Sequence, residues 1–458
     1  MAQSRQALVV GAGLVGSLWS IFLANRGYEV QVYERRSDMR RAGFTGGRSI
    51  NLAMSQRGWL AIEKVGIKPM IESVAIPMYG RMMHNPSGAL RFQPYGKEGQ
   101  AIYSVSRGGL NLELLRIADH FDNVSLHFDE RCSDVNLDTN EVRFENTAAG
   151  TESTVRAPLI FGTDGAFSAI RSSMQKTNRF NYSQAYLDYG YKELTIPPAG
   201  NGAHLMDKNA LHIWPRGNFM LIALPNVDGS FTCTLFLPFD GEAAAFENLQ
   251  TDGEIRTFFE KYFEDAMALM PNLLDDFHQN PTAALATIRC NPWHYQHRVL
   301  LLGDAAHAIV PFFGQGMNAG FEDCTILDAL LDEYQEDWHT VIEIFNKTRI
   351  KDANAIADLA LQNFIEMRDL VADPKFLLRK QIEIHLAKKY PAQFLPVYSM
   401  VTFSPLPYSE ALGELNAQNE LFEQVFRMPG IEQNWMENPA LDQIFWNWLA
   451  QRKLSDAG

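Results

Sequence analysis

The sequence predicts an α/β protein of two domains, with an inserted antiparallel β-sheet and a helical C-terminal region. Three observations lead to this fold class. The chain opens with a strand–helix–strand pattern around closely spaced glycines, two more glycine turns follow apolar strands near residues 164 and 303, and an extended region rich in β-branched and aromatic residues separates those two turns. A length of 458 residues is compatible with two or three domains.

The first of these patterns is a βαβ unit of the Rossmann-like type. An apolar strand over residues 7–10 leads into helical periodicity from Leu14 to Asn25, with Gly27 as the C-terminal cap. A second strand follows over residues 29–34. This order of elements predicts a parallel pair of strands joined by a helix, which is the core of a nucleotide-binding domain.

The turn between the first strand and its helix carries Gly11, Gly13 and Gly16. Gly11 permits a tight turn, Gly13 lets the backbone approach a pyrophosphate, and Gly16 lets the helix pack closely on the strand. Phosphates would sit at the free N–H groups of the helix N-terminus. Glu34 ends the second strand and is placed to accept hydrogen bonds from a ribose. We therefore expect dinucleotide binding; a purely structural βαβ unit is the alternative.

Two further strand-to-turn-to-helix transitions carry acidic residues. "LIFGTDGAFSAIR" places Asp164 before Gly165, and "VLLLGDAAHAIVPFFGQGMN" places Asp304 after Gly303. This geometry exposes backbone N–H groups to a ligand. Three such turns in one chain indicate one long ligand that spans several crossings.

The remaining segments complete the predicted architecture. Residues 79–103 and 181–240 are typical of extended strands, residues 244–276 of helices, and the chain from about residue 336 is mostly helical. The predicted units are a discontinuous nucleotide-binding domain over 1–75, 100–180 and 281–340, a substrate-binding β-sheet domain over 76–99 and 181–280, and a C-terminal helical region over 341–458.

Composition excludes several classes of function. A net charge of −14 argues against nucleic acid as a partner, because phosphate backbones attract clustered lysines and arginines. No apolar stretch reaches the roughly 18 residues of a spanning helix, and the N-terminus leaves no room for a signal peptide, so we expect no stable membrane insertion. The four cysteines are far apart, which predicts reduced thiols in a cytoplasmic protein and no metal site.

The three turn motifs together resemble those of the flavoprotein aromatic hydroxylases of the para-hydroxybenzoate hydroxylase class. Four segments, over residues 47–58, 81–96, 310–318 and 398–408, are similar more narrowly to the kynurenine 3-monooxygenase family. That resemblance implies a Rossmann-like FAD-binding domain and a β-sheet substrate domain. Eukaryotic members carry a C-terminal membrane anchor; its absence from this sequence predicts the soluble bacterial form.

The resemblance also implies site residues. Arg81 would pair with the substrate carboxylate, and the other expected substrate contacts are Tyr95, Phe236, Asn363, Met367 and Tyr398. Pro311, Phe312 and Gln315 would stand near the flavin ring. The expected FAD contacts are Gly11, Gly13, Val15, Gly16, Glu34, Arg35, Arg36, Ala53, Arg107, Cys132, Asp164, Asp304, Gly316, Met317 and Asn318.

The activity implied is hydroxylation of L-kynurenine to 3-hydroxy-L-kynurenine with NADPH and O₂ through a flavin C4a-hydroperoxide, in tryptophan catabolism or quinolinate and NAD biosynthesis. The cofactor would carry the chemistry, so no side chain is assigned as a catalyst. A hydroxylase of another anionic aromatic and a flavin-bound protein without turnover are the alternatives. Glu366 is either an ammonium contact or a solvated charge, Phe313 stands where some bacterial members have histidine, and a homodimer is left open.

Overall fold

The computed structural model describes residues 5–42, 51–97, 99–241, 244–366, 373–436 and 438–455. Its strands, in chain order, are β1 Gln6–Val10, β2 Glu29–Tyr33, β3 Asn51–Met54, β4 Ala75–Met78, β5 Gly80–His84, β6 Leu90–Pro94, β7 Ile102–Ser106, β8 Val124–His127, β9 Glu130–Asn136, β10 Glu141–Asn146, β11 Glu152–Arg156, β12 Leu159–Gly162, β13 Asn181–Ile196, β14 Ala210–Arg216, β15 Phe219–Pro225, β16 Phe231–Pro238, β17 Ala283–Asn291, β18 His294–Tyr295 and β19 Val299–Leu301.

The α-helices are α1 Leu14–Asn25, α2 Met39–Ala42, α3 Gln56–Lys64, α4 Lys68–Glu72, α5 Arg107–Asp119, α6 Ala169–Met174, α7 Asp252–Tyr262, α8 Glu264–Met267, α9 Leu273–Gln279, α10 Asp304–His307, α11 Gly316–Glu333, α12 Trp338–Ile365, α13 Pro374–Lys389, α14 Val397–Phe403, α15 Tyr408–Phe426, α16 Ile431–Asn434 and α17 Pro439–Ser455. Short 3₁₀ turns cover Phe246–Asn248 and Pro311–Phe313.

A six-stranded sheet brings the three glycine turns together. Its order is β18-β19-β12-β1-β2-β8, and all pairs except β18–β19 are parallel. Val9 in the centre lies opposite both Phe161 and Val32. The turns that begin at Gly11, Thr163 and Leu302 follow β1, β12 and β19, which are neighbouring strands that point the same way. Their carboxyl ends therefore meet at one edge of the sheet, where open α/β sheets bind ligands.

A seven-stranded sheet forms the second large layer. Its order is β17-β13-β16-β15-β14-β5-β6, and it is antiparallel except where β5, from an earlier part of the chain, runs parallel to β14. Apolar side chains on one face, including Trp214 and Leu235, pack with Phe259 and Phe263 of the α7–α8 region in a separate core. The other face is free to line a cavity, because side chains of a strand alternate between faces.

Smaller elements complete the architecture. Two three-stranded sheets, β3-β7-β4 and β11-β10-β9, come from segments inserted between strands of the six-stranded sheet. Helices α13, α15, α16 and α17 share a C-terminal core that includes Phe422, Phe445 and Trp448. Within the described residues, no helix is both long and apolar enough to cross a bilayer. The α/β fold class is confirmed, with its inserted, mainly antiparallel sheet and C-terminal helices; the predicted domain limits stay predictions.

The contact between α1 and the first turn leaves no room for a side chain. A Cβ atom on Gly16 would lie 1.9 Å from the carbonyl oxygen of Gly11 and 2.5 Å from Thr163 Oγ1. Backbone cannot yield as a flexible side chain does. We therefore expect Gly16→Ala to lower the free energy of unfolding by about 3 kcal/mol or more, measured by urea denaturation.

Gly413→Ala is the matched control. Gly413 lies on the exposed side of α15, and an added Cβ would meet nothing within 4 Å. Alanine there relieves the entropy cost of a helical glycine, so we expect a gain of about 0.5–1 kcal/mol. Equal stabilities for the two variants would contradict the close packing at Gly16.

Candidate active site

One cavity of about 530 Å³ is lined by residues from both large sheets. Nineteen of the side chains and turns that the sequence predicted for the site lie on its wall: Gly11, Gly13, Val15, Glu34, Arg35, Arg36, Ala53, Arg81, Tyr95, Arg107, Cys132, Asp164, Phe236, Asp304, Pro311, Phe312, Gly316, Met317 and Tyr398. The cavity is therefore where these distant segments of the chain meet.

The glycine turn presents bare backbone to the cavity. Gly11 has a φ of +100°, a value that favours glycine, and its N–H donates to the Tyr33 carbonyl at 2.7 Å. A Cβ on Gly13 would meet nothing within 4 Å, so this position leaves space for a ligand. No side chain caps the N-terminus of α1. The free N–H groups of its first turn are therefore available to an anion such as a pyrophosphate.

Glu34 is held rigidly beside this turn. Its Oε2 accepts a hydrogen bond from Ala12 N at 2.9 Å, and its Oε1 accepts from Arg36 N at 3.0 Å and Arg36 Nε at 2.8 Å. The carboxylate still has unused lone pairs, which could accept hydroxyl protons. Cys132 lines the cavity nearby as a neutral thiol, because burial raises its pKa to about 12.

Two acidic residues follow the other turns. Asp164 Oδ2 accepts hydrogen bonds from Ala169 N at 2.6 Å and Ile170 N at 3.3 Å, whereas its Oδ1 is buried with no hydrogen-bond partner in the part of the chain that the structure describes. Burial raises the pKa of Asp164. Asp304 starts α10 directly after Gly303, whose φ is +57°. Both carboxyl groups line the cavity, where they could bind the hydroxyl groups of a long ligand.

The loop between α10 and α11 makes a flat, mainly apolar part of the wall. Pro311, Phe312 and Phe313 form a 3₁₀ turn that ends at Gly314, with a φ of +67°. Gly314, Gly316 and Met317 lie on the cavity wall, opposite Ala53 of β3, whose Cβ lies 3.4 Å from where a Cβ on Gly314 would stand. This arrangement of small and apolar groups suits a planar ring.

Two predicted site residues at the start of α11 bond to other parts of the protein instead of lining the cavity. Asn318 Nδ2 donates to the carbonyls of Ala53 at 2.9 Å and Gly314 at 2.8 Å, and its Oδ1 accepts from Ser55 N. Gln315 is buried, and its Oε1 accepts from the Tyr408 hydroxyl at 2.9 Å. Neither side chain lines the cavity, so they position the loop that does.

A single cation stands among aromatic side chains in another part of the cavity. Arg81 lies on β5, between β6 and β14, and its remaining exposed surface faces the cavity. Its guanidinium carbon is 4.9 Å from the ring centre of Tyr398 and 5.5 Å from that of Tyr95. The two phenol rings stack at 5.5 Å. Arg81 Nε and the Tyr95 hydroxyl are buried without hydrogen-bond partners in the described residues.

The protonation states in this part of the cavity are fixed by burial. The pKa of Arg81 is raised, because the phenolic oxygens of Tyr398 and Tyr95 outweigh the lowering caused by burial. Burial also raises the pKa of both tyrosines, and that of Tyr95 lies well above its usual value. At neutral pH the group therefore consists of one cation and two neutral hydroxyl groups, a donor set that fits a carboxylate.

The walls around Arg81 are apolar. Phe236 and Phe312 pack with ring centres 5.0 Å apart. Sequence reasoning missed several wall residues of the seven-stranded sheet: Tyr191, Leu211, Ile213, Met220, Ile222, Leu224 and Thr234. On β14, β15 and β16 they recur at every second position, together with Phe236. Period-two alternation was therefore the available signal, but only the structure shows which face is inward.

The remaining predicted residues have other positions. Asn363 Nδ2 donates to the Phe312 carbonyl at 2.6 Å, so it contacts the loop between α10 and α11; among the described residues it does not line the cavity. Met367 lies outside the described residues. Glu366 Oε2 is 3.9 Å from Lys380 Nζ, a partner that competes with the ammonium contact considered above. Phe313 stacks on Tyr398 at 5.6 Å.

Comparisons with known proteins agree with this geometry. The family model described as FAD binding domain matches residues 4–339. Kynurenine 3-monooxygenase of Christiangramia forsetii is 48% identical over 97% of this chain and 99% of its own length. Those of Myxococcus xanthus and Sus scrofa are 49% and 45% identical, covering 89% and 90% of this chain and 88% and 86% of their own lengths.

Solved structures support the fold alone. The tetrameric form of 2-methyl-3-hydroxypyridine-5-carboxylic acid oxygenase has a TM-score of 0.65 at 17% identity, covering 81% of this chain and 95% of that one. P. aeruginosa PqsL, solved in complex with 2-aminobenzoylacetate, has a TM-score of 0.64 at 18% identity, covering 80% and 96%.

The donors on the cavity wall fit FAD part by part. The uncapped helix N-terminus suits its pyrophosphate, Glu34 its ribose, the carboxyl groups of Asp164 and Asp304 its other hydroxyl groups, and the apolar loop its ring. The chain binds FAD, and it belongs to the kynurenine 3-monooxygenase family.

Proposed function

We propose that this chain hydroxylates L-kynurenine to 3-hydroxy-L-kynurenine, with bound FAD and with NADPH and O₂ as co-substrates. The observation that carries the proposal is Arg81, a cation held beside two phenols in an otherwise apolar part of the cavity. Kynurenine has the matching parts, a carboxylate on an amino acid and an aminophenyl ring. Relatives that bear the name kynurenine 3-monooxygenase match nearly the whole chain.

Substrate orientation follows from these contacts. The planar guanidinium of Arg81 can hold the carboxylate with two parallel hydrogen bonds, and the Tyr95 hydroxyl can add a third. The aromatic ring then extends toward the packed pair of Phe236 and Phe312, which would form one wall beside it. Phe312 belongs to the same 3₁₀ turn as Pro311, in the loop between α10 and α11 that suits the flavin ring. These contacts would therefore place the ring of kynurenine next to the flavin. Fixed orientation of this kind supplies much of an enzyme's rate advantage.

The chain itself offers little acid–base chemistry in the part of the cavity around Arg81. The titratable side chains described there include Arg81, Tyr95, Tyr191 and Tyr398. Burial raises the pKa of the three tyrosines, and the phenol contacts outweigh burial at Arg81, so these groups stay protonated at neutral pH. FAD, when bound, supplies the redox chemistry by taking a hydride from NADPH and reacting with O₂. The ring amine of kynurenine activates its own neighbouring carbon. The protein orients the ring and keeps water away with aromatic walls.

The central test is the product. Purified protein supplied with FAD, NADPH, O₂ and L-kynurenine should release a compound heavier by one oxygen atom, as measured by mass spectrometry. NADPH oxidation should accelerate when kynurenine is added. Oxidation that ignores kynurenine would point to a flavin-bound protein without turnover, and oxidation with a different anionic aromatic alone would point to a related hydroxylase.

Arg81→Met should separate substrate binding from folding. We expect kcat/KM for kynurenine to fall by a factor that corresponds to a loss of about 2–5 kcal/mol in transition-state stabilisation, because the carboxylate loses its buried partner. The stability of the free protein should change little, because methionine loses the contacts with the phenols but avoids the desolvation of the guanidinium. Steady-state kinetics and thermal unfolding of the same preparation measure both effects.

Arg91→Met is the matched control for that experiment. Arg91 lies on β6, opposite Met83 of β5, and is exposed. Its substitution should leave both kcat/KM and stability near the unmodified values. If Arg81→Met kept the kcat/KM of the unmodified protein, the contact between Arg81 and the substrate carboxylate would be refuted. The result would not contradict FAD binding.

Glu34→Gln should weaken FAD binding. The amide would keep one oxygen, so it could not serve Ala12 N, Arg36 and a ribose hydroxyl together. We expect a loss of about 1–3 kcal/mol in FAD affinity, measured by flavin fluorescence during equilibrium titration. Glu29→Gln, at the exposed start of the same strand, should leave FAD affinity unchanged. Equal FAD affinities of the two variants would show that Glu34 does not contribute to FAD binding.

A further inference from the structure

Three histidines and a glutamate meet on the surface beyond the edge of the six-stranded sheet. His294 and His297 lie on the β18–β19 hairpin, and His339 and Glu343 lie one turn apart at the start of α12. None of these four residues, here called the histidine cluster, lines the FAD cavity. The function described above therefore leaves them unexplained.

The nitrogen and oxygen atoms of the histidine cluster converge. His297 Nε2 is 3.5 Å and His294 Nε2 is 3.8 Å from Glu343 Oε1. One ligand atom from each of these three residues lies within 4.8 Å of the others. Both distances to the carboxylate are too long for hydrogen bonds. The atoms are therefore gathered without being bonded to one another.

Two ring nitrogens of the histidine cluster are also unpartnered on their other side. His294 Nδ1 and His297 Nδ1 are buried atoms with no hydrogen-bond partner in the described part of the chain. Among the described residues, no hydrogen bond at Nδ1 fixes the tautomer of either ring, so Nε2 of each can carry the lone pair that a metal ligand needs.

The backbone at the hairpin turn holds this arrangement despite its cost. Gln296 and His297 have φ values of 45° and 56°, in the left-handed region, and Arg298 N donates to the Tyr295 carbonyl at 3.0 Å to close the turn. Residues other than glycine adopt this conformation at an energetic cost. The turn places the His297 ring against His339, with ring centres 3.8 Å apart. That contact orients the imidazole toward α12.

We propose that the histidine cluster binds one divalent transition-metal ion of the Zn²⁺ class through His294, His297 and Glu343. Two imidazoles and a carboxylate form a ligand set that suits zinc, with a fourth position open to solvent. His339 packs on His297 and positions it. Because neither Nδ1 has an acceptor, we expect binding about 10- to 100-fold weaker than at a site with a complete outer shell.

The location of the histidine cluster suggests a structural effect. An ion would tie the β18–β19 hairpin to α12, and β19 leads through Leu302 and Gly303 directly to Asp304 of the FAD cavity. A ligand that binds only the folded state raises the unfolding temperature by mass action. The sequence prediction of no metal site considered the cysteines alone; these ligands come from segments more than forty residues apart.

The test uses the full-length, FAD-loaded protein after treatment with a chelator. Equilibrium dialysis against Zn²⁺, with metal analysis, should give one saturable zinc ion per chain. Glu343→Gln and His297→Gln should each weaken binding at least about tenfold. Zinc should raise the unfolding temperature of the unmodified protein and much less that of the two variants. Co²⁺ in place of Zn²⁺ should give a visible absorption band that both variants lose.

His278→Gln is the matched control, because it removes an exposed histidine that pairs with Asp252 elsewhere on the surface. Zinc binding by this variant should equal that of the unmodified chain. Glu343 is itself half exposed on a helix, so its substitution should not disturb folding, and flavin absorbance checks this. Absence of saturable zinc, or equal binding by all four proteins, would overturn the proposal.

Discussion

The buried carboxylate of Asp323 is the constraint on which the cavity depends. Its Oδ2 accepts hydrogen bonds from Gly303 N at 2.9 Å and His307 Nε2 at 2.7 Å, and its Oδ1 accepts from Arg349 Nε at 2.7 Å. Burial alone would raise the pKa of Asp323, but the contacts with His307 and Arg349 outweigh burial and lower the pKa below its usual value. The carboxylate therefore stays charged. One side chain thus fixes both ends of the turn that presents Asp304 to the cavity.

The same network reaches the C-terminal helices through Glu322 and Arg57. Glu322 contacts both Arg349 and Arg57, and Arg57 Nε donates to the Val401 carbonyl at 3.0 Å on α14. Helix α14 also carries Tyr398 of the Arg81 group. Breaking a buried pair costs more than forming it gains, so such a network specifies one arrangement more than it adds stability. Here it ties α14, which carries Tyr398, to α11, which carries Gly316 and Met317 of the cavity wall.

The sequence predicted what depends on short-range pattern and missed what depends on long-range partners. Periodicity and glycine spacing predicted helix Leu14–Asn25 with the bounds that the structure shows. Gln315 and Asn318 were expected to lie beside the cofactor. In the structure the Gln315 side chain accepts a hydrogen bond from Tyr408, 93 residues later, and the Asn318 side chain donates one to the Ala53 carbonyl. The local sequence does not indicate which partner an amide side chain will have, because it binds the backbone and a ligand with the same groups.

The charged groups of the cavity are arranged differently in its two parts. Glu34, Asp164 and Asp304 line the part that meets the three glycine turns, together with Arg35 and Arg36, whereas Arg81 stands among phenols and aliphatic groups with no carboxylate partner in the described residues. The phenol oxygens of Tyr95 and Tyr398 outweigh the desolvation of the guanidinium and keep it charged, but neutral phenols supply no counter-charge. A carboxylate supplies that charge, and a neutral aromatic cannot. The arrangement at Arg81 therefore fits the proposed preference for substrates that carry a carboxylate.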